Sequence, residues 1–599
     1  MRWVIIPGSS LAILATFTLS VLAQSVPPGG VNLPSNTQDT IQQTLPNQSD
    51  SPPSRQLESS PSTTQPNLSI PPVTKPSEIV PSTQEPLPIK RLAVCGSTVL
   101  ADKIIDIVRE VLDTQKPPVT TDKDNCLIFP IVNSNKPTLE NLFQLRSKIT
   151  QLYIKEEYIT SGAFLRVQDS EDISHQIVKI QVVEGELEKP KPIKISGLNR
   201  LQEVYVRSRL ELATETPLNQ RRLKKALQLL QIDPLIEKIE AELIAGSRPG
   251  SNILDVKIKE APAFHTVVST ANNQSPSIGS LETNLLVVHN NLLGFGDRFS
   301  GQYGFTEGLD NYDLNYTIPI NARDGTLSWR YNNSNSHIIQ DKFRDLGIRS
   351  ETQTVSFSVR QPVFKAPESE LALGVALDVR RSQSFLLNDI PFSFSIGPEN
   401  GESKVAVIRF SQDWIDRGLK RNLAARSQFS FGIDAFDATI NNTGTDGRFF
   451  SWLGQFQWVQ RLSPRTVLVA RIDGQITPDS LLSLERFSIG GVNTVRGYPQ
   501  NQLVADNGII SSLELRIPLT NNPNILELAP FFEIGRAWNN QNPDPSPATI
   551  ASLGLGGRWQ IGSGWDLRLD YGIPLIQVNK QGNSLQENGF SFLLRYQPF

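Results

Sequence analysis

Two hydrophobic periods divide the chain. From residue 265 onward, apolar and polar positions alternate with period two in runs of about ten residues, broken by Gly, Asn, Asp and Pro. In Trp565–Tyr571, Trp565, Leu567, Leu569 and Tyr571 share one face, and Asp566, Arg568 and Asp570 share the other. Leu513, Leu515 and Ile517 oppose Glu514 and Arg516 in the same way. The segments run from 266–271 through 325–332, 351–360, 370–381, 424–437, 465–476, 509–518 and 528–538 to 588–598. They number about sixteen, an even count as in bacterial single-chain membrane barrels. Charges on one face suit a wet lumen, and apolar faces tipped with aromatics suit lipid. A soluble sandwich would turn the same charges to water, but this many strands would make a very large one. The expected fold class is therefore an all-β transmembrane barrel of about 16 antiparallel strands.

Ahead of residue 265 the helical period takes over. Residues 102–112 and 138–159 read as helices, the second with Thr138 and Asn141 as candidate caps. Strands are expected at 89–95, 163–167 and 176–183, and a long loop at 117–137. The order β-α-α-β-β then recurs: a strand at 192–196, helices at 201–212 and 218–230, and strands at 235–243 and 252–258 joined by the turn Gly246–Gly250. Two copies of one small α+β unit mark a tandem array.

The N-terminus reads as a secretory signal. Arg2 precedes a mostly apolar stretch from Val4 to Leu22, and Val21-Leu22-Ala23 suits cleavage before Gln24. An uncleaved helix is the other reading, but polar, Pro-rich sequence follows without a basic cluster. Residues 24–88 are rich in Pro, Ser, Thr and Gln and hold no aromatic residue, which predicts a disordered or extended linker. No other run of about twenty apolar residues offers a membrane helix. The expected organisation is signal peptide 1–23, linker 24–88, first α+β unit 89–188, second 189–262, and barrel 263–599 with an inward loop at 477–508.

Composition narrows the function. A chain of 599 residues exceeds one ordinary core. A net charge of −3 gives no reason to expect a nucleic-acid partner. His175, His265, His289 and His337 are scattered, and neither G-x-S-x-G nor a phosphate-binding Gly-rich loop occurs. No enzyme activity, metal or cofactor is expected. The chain's two cysteines, Cys95 and Cys126, both fall in the first α+β unit. Export would permit a disulfide between them, which would pin the 117–137 loop.

Particular residues carry a family likeness. The tandem units resemble polypeptide-transport-associated (POTRA) domains, through Val182-Val-Glu-Gly185 and Gly246-Ser-Arg-Pro-Gly-Ser-Asn-Ile-Leu-Asp-Val256. Together with the barrel they resemble TpsB transporters of two-partner secretion, in the superfamily of the BamA insertase. The likeness spans about 89–599. Its most specific motif is Val495-Arg496-Gly497-Tyr498, lying before the twelfth strand. The resemblance implies that this loop folds into the barrel and that its arginine meets an acidic residue on strand thirteen. There the family's Phe-x-Asp-x-Gly stands as Phe531-Phe-Glu-Ile-Gly535, with Glu533 one methylene longer than the usual Asp. Period two independently puts Phe531, Glu533 and Gly535 on one face and Phe532 and Ile534 on the other.

The last strand resembles the signal read by the barrel-assembly machinery, through Phe590, Phe592, Leu594, Tyr596 and the terminal Phe599. The resemblance implies a chain seated in outer-membrane lipid, with POTRA domains in the periplasm that capture a secreted partner protein and pass it through the lumen. An insertase of the same superfamily is the alternative. A passive porin is a weaker one, because it leaves the repeat and the Val495–Tyr498 motif without a purpose.

Overall fold

The computed structural model describes residues 68–69, 87, 89–113, 119–121, 125–131, 136–166, 177–190, 192–442, 444–522, 525–578 and 582–598. The expected signal peptide, the expected linker apart from 68–69 and 87, and Phe599 lie outside them. The described chain divides into two units, with the boundary in the sequence between Ala261 and Pro262.

In the C-terminal unit sixteen strands close into a barrel. They are β1 (Phe264–Ala271), β2 (Glu282–Asn290), β3 (Arg298–Phe305), β4 (Leu309–Pro319), β5 (Thr326–His337), β6 (Arg349–Lys365), β7 (Ser369–Leu386) and β8 (Glu402–Arg417), then β9 (Arg421–Ile433), β10 (Phe450–Arg461), β11 (Val467–Ile476), β12 (Asn507–Pro518), β13 (Leu526–Trp538), β14 (Thr549–Ile561), β15 (Trp565–Pro574) and β16 (Phe590–Tyr596). Neighbours are antiparallel throughout, and the ring closes where β1 meets β16, from Val268↔Tyr596 to Ala271↔Leu593. Asn272 extends this seam: its side chain donates to the Phe590 carbonyl at 2.9 Å and accepts from the Phe592 N–H at 2.6 Å. Turns on the rim where β1 begins are short, such as 366–368 and 418–420. The opposite rim carries the long connections 387–401, 434–449 and 477–506.

Alternation sets the two faces. Phe357, Val359, Leu371, Val375 and Ile408 form part of an exposed apolar belt, while Asp378, Arg380, Arg409, Asp413 and Arg426 are buried inside. Inward charges on adjacent strands stand side by side and pair: Arg409 with Asp378 at 2.5 Å, Arg426 with Asp413 at 2.6 Å, and Arg360 with Glu370 at 2.6 Å. Pairing offsets the desolvation that each charge alone would suffer.

Three strands run past the limits the alternation predicts. β5 ends at His337 rather than 332, β6 at Lys365 rather than 360, and β7 at Leu386 rather than 381. The extra residues of β5, such as Asn333 and Asn335, pair with Gln353 and Glu351 through the backbone ladder. That ladder needs no apolar side chain, so polar extensions are silent in hydropathy. Conversely β9 stops at Ile433 rather than 437, because Phe436 and Asp437 take φ of 54° and 57°, which a β ladder cannot accommodate.

The N-terminal unit holds two sheets. In the first, Arg91–Cys95 lies between Cys126–Pro130, antiparallel, and Ile177–Val183, parallel. Val119–Thr121 and Gly162–Leu165 form the edges. Helices Ala101–Leu112 and Leu139–Lys155 bury Ile104, Val108, Leu145 and Ile149 against Leu92, Val94 and Ile180. Thr138 and Asn141 cap the second helix reciprocally. The expected loop at 117–137 is corrected: it contains two paired strands. Cys126-Leu-Ile-Phe alternates, with Leu127 and Phe129 in the core, but Asn125 and Pro130 at its ends gave it the outline of a turn.

In the second sheet Ile236–Ala245 pairs antiparallel with Ser251–Glu260, which is flanked by Ile193–Ser196 and Glu186–Leu187. Glu186 and Leu187 thus join the second sheet ahead of the expected boundary at 189. Leu68–Ser69 adds a parallel pairing on Ala241–Glu242. Helices Glu203–Glu211 and Gln220–Gln231 complete this layer, with Leu210, Leu223 and Leu227 packed on Leu254 and Val256. No described helix is long and apolar enough to cross a membrane.

Candidate functional site

The connection from β11 to β12 turns back into the barrel. Phe487–Ile489 and Leu503–Ala505 pair as a small antiparallel hairpin. Its side chains Phe487, Ile489 and Leu503 pack with Val495 and Tyr498 against Leu453, Ile510, Ala537 and Ile550 of the inner wall. A loop that buries this much apolar surface has reason to stay inside. Two glycine sites admit it. A Cβ on Gly535 would stand 2.6 Å from Ile489 Cγ2, so only a bare backbone leaves room there. Gly497, at φ 92°, lies so close to Gly572 that a Cβ on either would press into the other's backbone.

Arg496 is 2 % exposed and lies among three carboxylates. Its Nε and Nη2 both donate to Glu533 Oε1, at 2.9 and 2.6 Å. Glu533 Oε2 accepts from the Arg496 backbone N–H at 2.6 Å. Nη1 donates to Glu514 at 2.9 Å and to Asp570 at 2.8 Å. The guanidinium also stacks 3.5 Å from the centroid of the Phe531 ring. Around this centre Arg516 and Arg558 contact Glu514, and Arg568 contacts Asp570. Each charge-assisted bond of this kind is worth roughly 1.5–3 kcal/mol. Tyr498 Oη lies 2.8 Å from the carbonyl oxygens of Ala551 and Ile576 and accepts from the Ile576 N–H at 3.1 Å.

Glu533 therefore faces the loop arginine, but with an arrangement that differs from a fork-to-fork pair. Its extra methylene lets one oxygen reach past the guanidinium to the loop backbone. The motif reading did not identify Glu514 or Asp570 as partners. Period two put both on the lumen face, yet gave no indication that they stand at the height of Arg496. Phe532 and Ile534 are exposed outward, while Phe531 is buried.

A second cluster holds the other end of the loop. Glu485 accepts from Arg380 Nη1 at 2.9 Å and from Arg409 Nη2 at 2.9 Å on both its oxygens. Leu481, Leu482 and Leu484 pack on Val405, Val407 and Phe449. Sequence reasoning did not single out Glu485.

The remaining candidates lie elsewhere. Cys95 and Cys126 are directly opposite on paired strands and are joined by a disulfide. On β16, Phe592, Leu594 and Tyr596 sit opposite Leu569, Leu567 and Trp565 of β15, while Ser591 and Arg595 are buried inside. Phe590 pairs with Tyr571. No group of residues suited to holding a metal ion occurs among the described residues.

Comparison with known proteins extends these observations. The sequence profile of the family described as haemolysin secretion/activation protein ShlB/FhaC/HecB matches residues 250–559. That of the ShlB-type POTRA domain matches 131–185. The outer membrane transporter CdiB of Dickeya dadantii (strain 3937) is 21% identical over 458 residues, covering 72% of this chain and 77% of that protein. The outer membrane protein assembly factor BamA of Nitratidesulfovibrio vulgaris is 24% identical over 404 residues, 64% of this chain and 48% of its own length. The solved structure of CdiB from Escherichia coli shares the fold, with a TM-score of 0.64 at 20% identity over 94% of this chain and 98% of that one.

Proposed function

The chain belongs to the haemolysin secretion/activation protein family ShlB/FhaC/HecB, whose members are outer-membrane transporters, and from that membership we propose that it exports one partner polypeptide from the periplasm to the cell surface. The barrel lies in the outer membrane and the POTRA region in the periplasm. The two α+β modules, read as a POTRA pair, capture the unfolded client. Strand addition suits this task, because backbone hydrogen bonds accept varied sequence. The client then passes through the lumen and folds outside. The observation that carries this reading is the seating of Arg496 in the lumen by Glu533, Glu514 and Asp570. A loop held inside the lumen by a small set of charge-assisted bonds is an element that a translocase can displace. The apolar belt contacts lipid, and the last strand together with Phe599 serves the barrel-assembly machinery as its recognition signal during biogenesis.

Depletion of the protein tests the reading. Loss of a single surface or secreted polypeptide is expected, crosslinkable to the 89–262 region in the periplasm. A general fall in outer-membrane barrel proteins would instead establish an insertase.

A further inference from the structure

The 477–506 loop meets the barrel wall at two places far apart. Asp570 of the Arg496 cluster is on β15, and Arg380 of the Glu485 cluster is on β7. In a closed ring of sixteen these strands are eight apart, so they stand on opposite sides. The loop therefore crosses the lumen.

The Glu485 end is likewise built from buried charges. Glu485, Arg380 and Arg409 are all nine-tenths or more buried. Arg409 is itself held by Asp378 at 2.5 Å and by Ser430 at 2.9 Å, so its fork is set before the loop arrives. Gln475 Nε2 on β11 donates to the Glu485 carbonyl at 2.9 Å. The opposite-rim connections add contacts: Ser483 Oγ donates to Ser395 Oγ at 3.1 Å, and Thr445 and Ser480 hydroxyls lie 3.0 Å apart.

We propose that residues 481–485 form a gate leaf, latched to the β7–β8 wall by Glu485 on Arg380 and Arg409, which swings free while Arg496 keeps the loop hinged on the β13–β15 wall. Glu485 is then a positioning residue for translocation. It touches no client, and its release opens the lumen on the β7–β9 side. The leaf is the segment that moves because, among the described residues, its only ionic latch to the β7–β8 wall is one carboxylate on two cations, beside single hydrogen bonds and the packing of Leu481, Leu482 and Leu484 on Val405, Val407 and Phe449. The Arg496 end adds three carboxylates, an aromatic stack, a backbone bond and the Gly497–Gly572 contact. The purpose of the leaf rests on the export reading, but its opening is measurable without any client.

Single-channel conductance of the full-length protein in planar bilayers provides the test. E485Q keeps the side chain's shape and removes its charge. It is expected to raise open probability several-fold, with the heat-modifiable barrel intact. In the same background Ser395→Cys with Ser483→Cys supplies a tether across the hydroxyl contact. Oxidation is expected to return the current to the parent level and dithiothreitol to release it, while the parent itself is unchanged by dithiothreitol. Conductance of E485Q equal to the parent's would overturn the latch. A raised current that the oxidised tether does not suppress would overturn the moving leaf. Should E485Q fail to fold, Arg380→Gln, which removes one of the two cations, is read in the same way. A latch that opens as expected in a protein that exports nothing would refute the export reading alone.

Discussion

Glu533 holds Arg496 twice over, through its guanidinium at Oε1 and through its backbone N–H at Oε2. The contact fixes both the side chain and the path of the loop. The carboxylate is thus a clamp on the loop backbone as well as an ion-pair partner.

Arg496→Ala is expected to abolish or severely reduce export while the barrel stays folded, because sixteen strand ladders hold the barrel and one loop contact does not. Glu533→Ala should be milder, since Glu514 and Asp570 still hold Nη1. A loss of about 1.5–3 kcal/mol shifts the loop equilibrium by roughly tenfold or more. Glu533→Asp can reach the guanidinium or the backbone but not both, so export should be intermediate. The double change should match Arg496→Ala alone. Secreted client measured beside heat-modifiable migration checks this, and simple addition of the two single defects would show that the residues act independently.

Gly535→Val would push a side chain into Ile489 and Val495. The strand itself tolerates valine well, so the barrel should fold and the loop should be expelled. Trypsin should then cut after Arg486 or Arg496, which are both shielded in the parent. An unchanged digestion pattern would mean the loop packs elsewhere without cost.

The disulfide joins residues 31 apart in sequence. Replacing both cysteines by serine should lower the stability of the first α+β module by about 2–4 kcal/mol. Because the only described helix of the barrel unit longer than three residues is the four-residue Asp341–Arg344, helical ellipticity reports on the N-terminal unit. Its thermal midpoint should fall in the double variant, with barrel migration unchanged. Equal midpoints would leave the bond without a stabilising role.

Tyr153 is buried, bonded to Ser97 at 2.8 Å and donating to Glu184 at 2.7 Å. Burial raises its phenol above the usual range, as do the hydrogen bond and charge of Glu184, while the Ser97 bond lowers it in part. Folding therefore favours the protonated form. That stabilisation is complete below pH about 10, the ordinary tyrosine value, and is lost progressively as the pH rises above it. The helical midpoint should fall above pH 10 in the parent and much less in Tyr153→Phe. Parallel pH curves for the two proteins would assign the alkaline loss to another group.

Deleting Phe599 should slow barrel assembly and leave transport by assembled protein unchanged, since the proposed signal acts during biogenesis and not in the assembled barrel. Pulse-chase of the heat-modifiable form measures the rate. Parent-like kinetics would remove the terminal residue from the signal.

What the sequence determined by itself was local. Period-two alternation put Glu514, Glu533 and Asp570 on the lumen face and Phe532 and Ile534 outside, because successive side chains of a strand point to opposite faces whatever surrounds them. The Thr138 cap and the Val495–Tyr498 motif were legible for the same reason, as each is contained in a few adjacent residues, and the α+β repeat was legible because each of its elements carries its own local period. The tertiary structure alone decided which inward residues share a height. Strand tilt and the stagger accumulated around the ring bring residues 496, 514, 533 and 570 to one point, and carry Glu485 to Arg380 and Arg409 on the far wall. It also decided that Cys126–Pro130 is a strand, since a five-residue run between turn formers acquires its conformation from the edge of Arg91–Cys95 beside it. Facing is a property of the backbone at one residue; meeting is a property of the closed barrel.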